Sequence, residues 1–268
     1  MNAVTQVLAD SQVIAKRNVI KIIRVPEVMV FVVMSPIMFV LLFAYVFGNS
    51  IDIEGGGNYR EFLIAGIFAQ TVIFGATFTG AGLAEDMQKG IIDRFRVLPM
   101  SRSAVIVGRT VSDVVYNVIS LLIMSLTGLL VGWRIRGSLF DAVLAFALLL
   151  LFAYAFSWVM AWVGLMVPSV EVVNNASFMV IFPLTFIANT FVPSDNLPGP
   201  LKAFAEWNPV STVTQATREL FGNIPPGTPE PTAWPLQNPV LYTFIWVVVI
   251  VAVFAPLSVR QYNKSKSR

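Results

Sequence analysis

The sequence predicts an all-α membrane protein built from six transmembrane helices, and three observations carry that prediction. Of 268 residues, 56% are hydrophobic and 12% charged, about half the charge of a typical soluble chain. The mean hydropathy is +0.75, and the apolar residues fall in blocks near the ~20 residues needed to cross a bilayer. Both ends of the chain are basic, which by the positive-inside rule places both in the cytoplasm and demands an even number of crossings.

The blocks cover residues 28–47, 62–84, 111–131, 139–167, 172–192 and 240–259. The fourth and fifth are divided only by Pro168, Ser169, Val170 and Glu171. Proline disfavours helix in the residue before it, so a tight turn is expected there. Lys16, Arg17, Lys21 and Arg24 precede the first block, and Arg260, Lys264, Lys266 and Arg268 follow the last. Lys89, Arg94, Arg96, Arg102 and Arg109 surround the connection between the second and third. Thirteen of the eighteen cations therefore fall inside; Arg60, Arg134, Arg136, Lys202 and Arg218 fall outside, and Arg134 and Arg136 count against the arrangement. The first apolar block is span-length and has no small-residue cleavage site close behind it, which argues against a signal peptide.

Composition excludes several chemistries. There is no histidine and no cysteine, so Ser-His triads, thiol nucleophiles, disulfides and zinc sites built from these residues are absent. No G-x-x-x-x-G-K-[ST] run occurs, so the chain has no P-loop and ATP-driven work must come from a partner. No catalytic residue, resident cofactor or metal is expected, and nothing points to nucleic acid.

Three segments lie outside the blocks. Residues 4–24 place apolar side chains near helical spacing, with Arg17, Lys21 and Arg24 on another face. This is the pattern of a helix in the membrane interface with its cations toward headgroups and cytoplasm; a plain anchoring helix has the same pattern. From Glu85 to Arg102 the chain carries Met87, Ile91, Phe95 and Leu98 at helical spacing, with acids at the start, Arg94 and Arg96 near the end, and Pro99 as the stop. A short amphipathic helix of mixed charge suits docking of a soluble partner, and equally a solvated linker. Residues 193–239 hold ten of sixteen prolines. Within them Asn208 and Pro209 open a short amphipathic run through Val213, Ala216, Thr217 and Leu220, and Gly222 stands at its C-cap.

These segments resemble the permease subunits of type-2 ABC exporters, in particular the daunorubicin-resistance-like branch. The resemblance covers nearly the whole chain. It rests on Glu85, Gly90-Ile91-Ile92-Asp93-Arg94-Phe95-Arg96 and Leu98-Pro99, and on Trp207-Asn208-Pro209-Val210 followed by Arg218-Glu219-Leu220-Phe221-Gly222. It implies one transmembrane domain over residues 1–268. Residues 1–27 would form an elbow helix, marked by Arg17, Lys21 and Arg24. Residues 85–99 would form a cytoplasmic coupling helix on the nucleotide-binding subunit, through Glu85, Gly90, Ile91, Arg94, Phe95, Arg96 and Pro99. Residues 193–239 would carry short re-entrant helices closing the outer end, with Asn208, Pro209, Arg218 and Gly222 at the gate. The implied partners are an ATPase subunit, which binds ATP and Mg, a second permease chain, identical or related, and membrane lipid. The implied location is a bacterial cytoplasmic membrane.

Inside the blocks, no Lys, Arg, Asp or Glu stands near a centre, Asp113 and Asp141 lying toward the ends. A proton-coupled carrier needs such a relay, so this alternative is disfavoured; a membrane enzyme lacks a nucleophile or carboxylate pair. Thr71, Gly75 and Thr79, and Ala76, Gly80 and Ala84, form two small-residue stripes in the second block, expected to pack helices. With 21 Phe and 10 Met, a route for a greasy substrate is expected among Phe31, Met34, Gln70, Phe74, Asn174 and Phe178.

Overall fold

The computed structural model describes residues 3–24, 26–46, 59–191, 194, 197–224 and 227–264, with backbone only for residues 3, 4, 22, 23, 26–29, 31, 32, 96 and 102. Among the described residues it is all helical, without strands. In order the helices are α1 (Ala3–Arg24), α2 (Pro26–Val46), α3 (Tyr59–Gly75), α4 (Thr77–Gln88), α5 (Ile91–Arg96), α6 (Arg102–Val131), α7 (Leu139–Met166), α8 (Val170–Phe186), α9 (Gly199–Trp207), α10 (Pro209–Phe221), α11 (Trp234–Gln237) and α12 (Pro239–Lys264).

Among the described residues, four stretches are long and apolar enough to cross a membrane: Tyr59–Gln88, Ser103–Val131, Leu139–Met166 and Pro239–Lys264. Two shorter apolar helical stretches, Val33–Val46 and Val170–Phe186, correspond to the first and fifth predicted blocks. The fifth block thus forms a helix shorter than its apolar run, ending at Phe186 with Pro183 inside it.

α7 is the axis of the molecule, packed against α12, α4, α10, α6 and α3. Its start is fixed by a capping box: Ser138 Oγ accepts from Asp141 N at 3.1 Å, and Ser138 N donates to Asp141 Oδ2 at 3.3 Å. The turn expected at Pro168 is present, and Ser169 caps α8 by accepting from Val172 N at 3.3 Å. The two small-residue stripes face different neighbours. A Cβ on Gly75 would strike Asn117 of α6, whereas Gly80 lies against Met160 and Gly164 of α7. Glycine is needed at both crossings because the helices meet backbone to side chain, or backbone to backbone.

α1 lies along α6. Ile14, Ser11 and Asn18 are buried there, and a Cβ on Gly108 would come within 2.7 Å of Ser11 O. Leu8, Val13 and Ile20 remain exposed on its other side, so α1 carries apolar residues on an inner and an outer face.

Candidate functional site

Three regions hold the candidate residues: the junction of α1, α4 and α5, an aromatic cavity, and the layer around α10.

At the junction, Arg17 Nη2 donates to Asp86 Oδ2 at 2.7 Å, and Lys21 Nζ donates to Glu85 Oε2 at 2.7 Å. Lys89 Nζ reaches the other Glu85 oxygen at 2.5 Å, and this hydrogen bond with the Glu85 charge raises the Lys89 ammonium above the usual lysine value. The Arg17 guanidinium also stands 5.1 Å from the centre of the Phe95 ring. Two of the three cations assigned to α1 thus turn to carboxylates of this chain and not to headgroups. Arg24 is exposed. The reason is spacing: Arg17 and Lys21 are one turn apart on α1 and meet adjacent acids at the end of α4. Further along α1, Asp10 Oδ2 accepts from Ser101 N at 2.9 Å and Gln6 Nε2 donates to Pro99 O at 3.3 Å.

The single amphipathic helix expected over 85–99 is two pieces. α4 runs to Gln88, Lys89 N and Gly90 N close its last turn on Glu85 O and Met87 O, and Gly90 then takes φ 65°. That left-handed turn suits glycine, while a Cβ there would meet no described residue within 4 Å. The turn also shifts the register of α5. Met87 and Ile92 are buried against Val105 and Ile106, Ile91 and Phe95 are half-buried, and Leu98 is exposed. The buried apolar residue is therefore Ile92, not Ile91. Asp93, Arg94, Val97, Leu98 and Pro99 form an exposed tip; the Arg96 side chain lies outside the described residues.

The cavity, of about 670 Å³, is lined by residues of α2, α3, α4, α6 and α8. Phe39, Phe74, Phe78, Tyr116, Phe178, Phe182 and Phe186 supply its rings. Gln70, 2% exposed, also lines it, and its buried Oε1 has no hydrogen-bond partner among the described residues. Of the six pathway candidates, Gln70, Phe74 and Phe178 meet here. Met34 and Asn174 are exposed and do not line the cavity; Asn174 stands on the row of Phe178 but one turn nearer the start of α8. The Phe31 side chain lies outside the described residues.

Around α10 the expected caps are present. Asn208 Oδ1 accepts from Val210 N at 2.9 Å, Pro209 is the first helical residue, and Gly222 ends the helix at φ 69°. Arg218 is 1% exposed. Its Nε donates to Phe62 O at 3.0 Å, and its Nη2 donates to Asn189 O and Thr190 O at 2.8 and 3.0 Å. It thereby ties α10 to the start of α3 and the chain after α8. Sequence reasoning missed the neighbouring clasp: Trp133 Nε1 donates to Asn223 Oδ1 at 2.8 Å, and Arg136 forms a bidentate pair with Glu61 at 2.9–3.2 Å. The Glu61 hydrogen bond holds Arg136 above the ordinary arginine value. The predictive signal was present as Arg134-x-Arg136 beside an aromatic, but its partners are distant in sequence.

One correction concerns charge within the helices. α6 begins at Arg102, so Asp113 lies about three turns inside it. Asp113 is 2% exposed and accepts a hydrogen bond from the Thr79 hydroxyl, with Arg109 Nε 3.7 Å away. A buried ion pair therefore exists where the sequence placed a span end.

Comparison with known proteins agrees with this architecture. The family model described as ABC-2 type transporter matches residues 10–221. A daunorubicin resistance ABC transporter permease protein from Streptomyces coeruleorubidus is 32% identical over 244 residues, covering 90% of this chain and 82% of that protein. A probable doxorubicin resistance ABC transporter permease protein from Mycobacterium tuberculosis is 22% identical over 228 residues, covering 85% and 79%. A putative transport permease from Cyanophora paradoxa is 22% identical over 216 residues, covering 79% and 73%.

Proposed function

Because the chain belongs to the ABC-2 type transporter family, we propose that it is the membrane subunit of an ATP-driven exporter of hydrophobic or amphiphilic compounds such as drugs or lipid-like molecules. The observation that carries the substrate class is the cavity. Its wall is aromatic, and none of the described residues that line it is charged. Names of relatives point the same way.

In this reading the chain crosses a cytoplasmic membrane six times with both termini inside, α2 and α8 being the shorter crossings, and a second permease chain completes the pathway. The ATPase is a separate subunit that binds ATP and Mg. It seats on α5 and the tip after it, with Gly90, Ile91, Arg94, Phe95, Arg96 and Pro99 at or beside the contact and Glu85 anchoring the arm from behind. α1 is the elbow, held to that arm by Arg17 and Lys21, so motion of α5 reaches α1 and α4 together. Asn208, Pro209, Arg218 and Gly222 shape the outer closure through α10.

Co-expression with a P-loop ATPase of the ABC class, sought first in the reading frames neighbouring this one, followed by pull-down and ATP hydrolysis with hydrophobic cations and lipids, tests the reading. Association and substrate-stimulated hydrolysis are expected; failure of the two chains to associate would overturn it. A proton-coupled carrier is the second reading, favoured by the buried Asp113. It requires Asp113→Asn to abolish transport, whereas the exporter reading requires that variant to transport.

A further inference from the structure

The helical stretch Tyr59–Gln88 is not uniform. At Ala76, between α3 and α4, the ladder tightens: Ala76 N bonds Ile73 O, and Thr79 N bonds Ala76 O, both at 3.1 Å. Such three-residue closures inside a long helix mark a joint. The local sequence favours one, since Gly75, Thr77, Thr79, Gly80 and Gly82 are all weak helix formers. The joint lies in the cavity wall, which Gln70, Thr71, Phe74 and Gly75 form on one side of it and Thr77 and Phe78 on the other. The far end of α4 carries Glu85 and Asp86, the acids held by α1.

Beside this joint, α6 presents Asn117, Asp113 and Arg109, one per turn on one face. Asn117 abuts Gly75. The Thr79 hydroxyl donates to Asp113. Arg109 Nη2 donates to Phe78 O at 2.6 Å, and its guanidinium fills the space a side chain on Gly82 would take. On its opposite side α4 crosses α7 with Gly80 against the backbone of Gly164. α4 is thus gripped by polar groups on one side and rests on a bare backbone contact on the other.

The geometry points to Thr79, Asp113 and Arg109 as a clamp that registers α4 on α6 beside the Ala76 joint, so that displacement of α5 is delivered to the cavity wall and not absorbed by slippage of α4. The inference rests on the exporter reading for its consequence, but the clamp exists in the chain alone. Thr79, Asp113 and Arg109 are positioning residues: none of the three lines the cavity or lies on the exposed tip.

The chain has no cysteine, so a spin-label pair at Gln88→Cys and Leu130→Cys, both exposed, reports the position of α4 relative to α6 in nanodiscs without background. Three backgrounds decide the matter. Thr79→Val keeps the shape and removes the donor, Asp113→Leu removes the acceptor, and Asp113→Asn still accepts the Thr79 proton. Thr79→Val and Asp113→Leu are expected to broaden the distance distribution, and Asp113→Asn to restore the parent width. Without spin labels, in complex with the ATPase, the first two should keep association and basal hydrolysis within about twofold. They should lose substrate stimulation by about tenfold or more, as for one buried hydrogen bond to a charged group, with Asp113→Asn retaining it. Unchanged distance widths in Thr79→Val and Asp113→Leu overturn the clamp whatever the partner does. Broadened widths with undiminished stimulation overturn its role in transmission. Failure of the parent chain to bind the ATPase would overturn the exporter reading instead, leaving the distance measurement to decide the clamp.

Discussion

The tie between α1 and α4 is best tested through Arg17 and Asp86. Their contact is 2.7 Å, with the Arg17 side chain 36% exposed and that of Asp86 only 7%. A fully exposed pair contributes about 0–1 kcal/mol, while breaking a buried one costs about 3–5 kcal/mol, because a charge is left without its partner. One open and one closed end place this pair between those limits, so a double-mutant cycle of Arg17→Met and Asp86→Ala should give a coupling energy of about 1–2 kcal/mol. The parallel cycle of Lys21→Met and Glu85→Ala involves side chains 47% and 29% exposed. Its coupling should be about 0.5 kcal/mol or less, further reduced because Lys89 also holds Glu85. Unfolding free energies in mixed detergent micelles at low and moderate salt measure both cycles. Salt should weaken the second more than the first. A coupling for Arg17 and Asp86 within about 0.3 kcal/mol of zero, or one smaller than that of Lys21 and Glu85, would refute the reasoning.

Other substitutions probe the remaining parts. Gly90→Val forces a β-branched residue to φ 65° and should cost about 1–2 kcal/mol in the same unfolding assay; in complexes with the ATPase it should lower stimulated hydrolysis, and unchanged stimulation would remove Gly90 from the docking arm. Gln70→Leu removes a buried acceptor without a partner among the described residues, so stability in the same unfolding assay should hold or rise by up to about 1 kcal/mol, and a loss of more than about 1 kcal/mol would show that the amide is needed where it stands. Arg218→Lys cannot reproduce a fork spanning Phe62 O, Asn189 O and Thr190 O and should cost about 2–4 kcal/mol, with Arg218→Met no better. Near-parent stability of Arg218→Lys would show that a point charge suffices there.

Most of the helical frame is legible in the sequence because it depends on local pattern. The apolar runs that become α6, α7 and α12 announce themselves, and Asn208, Pro209 and Gly222 mark both ends of α10 where the caps are found. What escaped depends on partners far apart in the chain. Asp86 looks like one of two acids opening an amphipathic helix; only the fold brings Arg17, 69 residues away, against it. Gly90 was visible, but its positive φ splits the expected helix and exchanges Ile91 for Ile92 as the buried residue. The joint at Ala76 left no break in apolar periodicity, because a single tightened turn shifts the register too little to see. Asp113 was misplaced for a related reason: hydropathy marks where α6 enters an apolar environment, whereas the helix itself begins at Arg102.

The outer cations show how such distant partners alter a sequence argument. Arg134 and Arg136 stood against the proposed orientation because the positive-inside rule counts charge without asking what each charge does. Arg136 is held bidentately by Glu61, Arg218 is buried on three carbonyls, Arg134 donates to Leu129 O and Trp133 O, and Arg60 donates to Val131 O. Lys202 stands 3.8 Å from Glu206. Arg60, Arg136 and Arg218 thus fasten segments distant in the chain, while Arg134 and Lys202 find these partners locally. At the opposite end Arg17, Lys21 and Lys89 fasten likewise, but Lys16, Arg24 and Arg94 are exposed, where a cytoplasmic surface and an anionic leaflet would receive them. Removing the structural cations from both sides leaves the asymmetry in the same direction, which supports the proposed orientation. It also predicts that Arg134→Gln, exposed and joined only to carbonyls, leaves the topology unchanged in a reporter-fusion assay, whereas Lys16→Glu with Arg24→Glu weakens retention of the N-terminus inside.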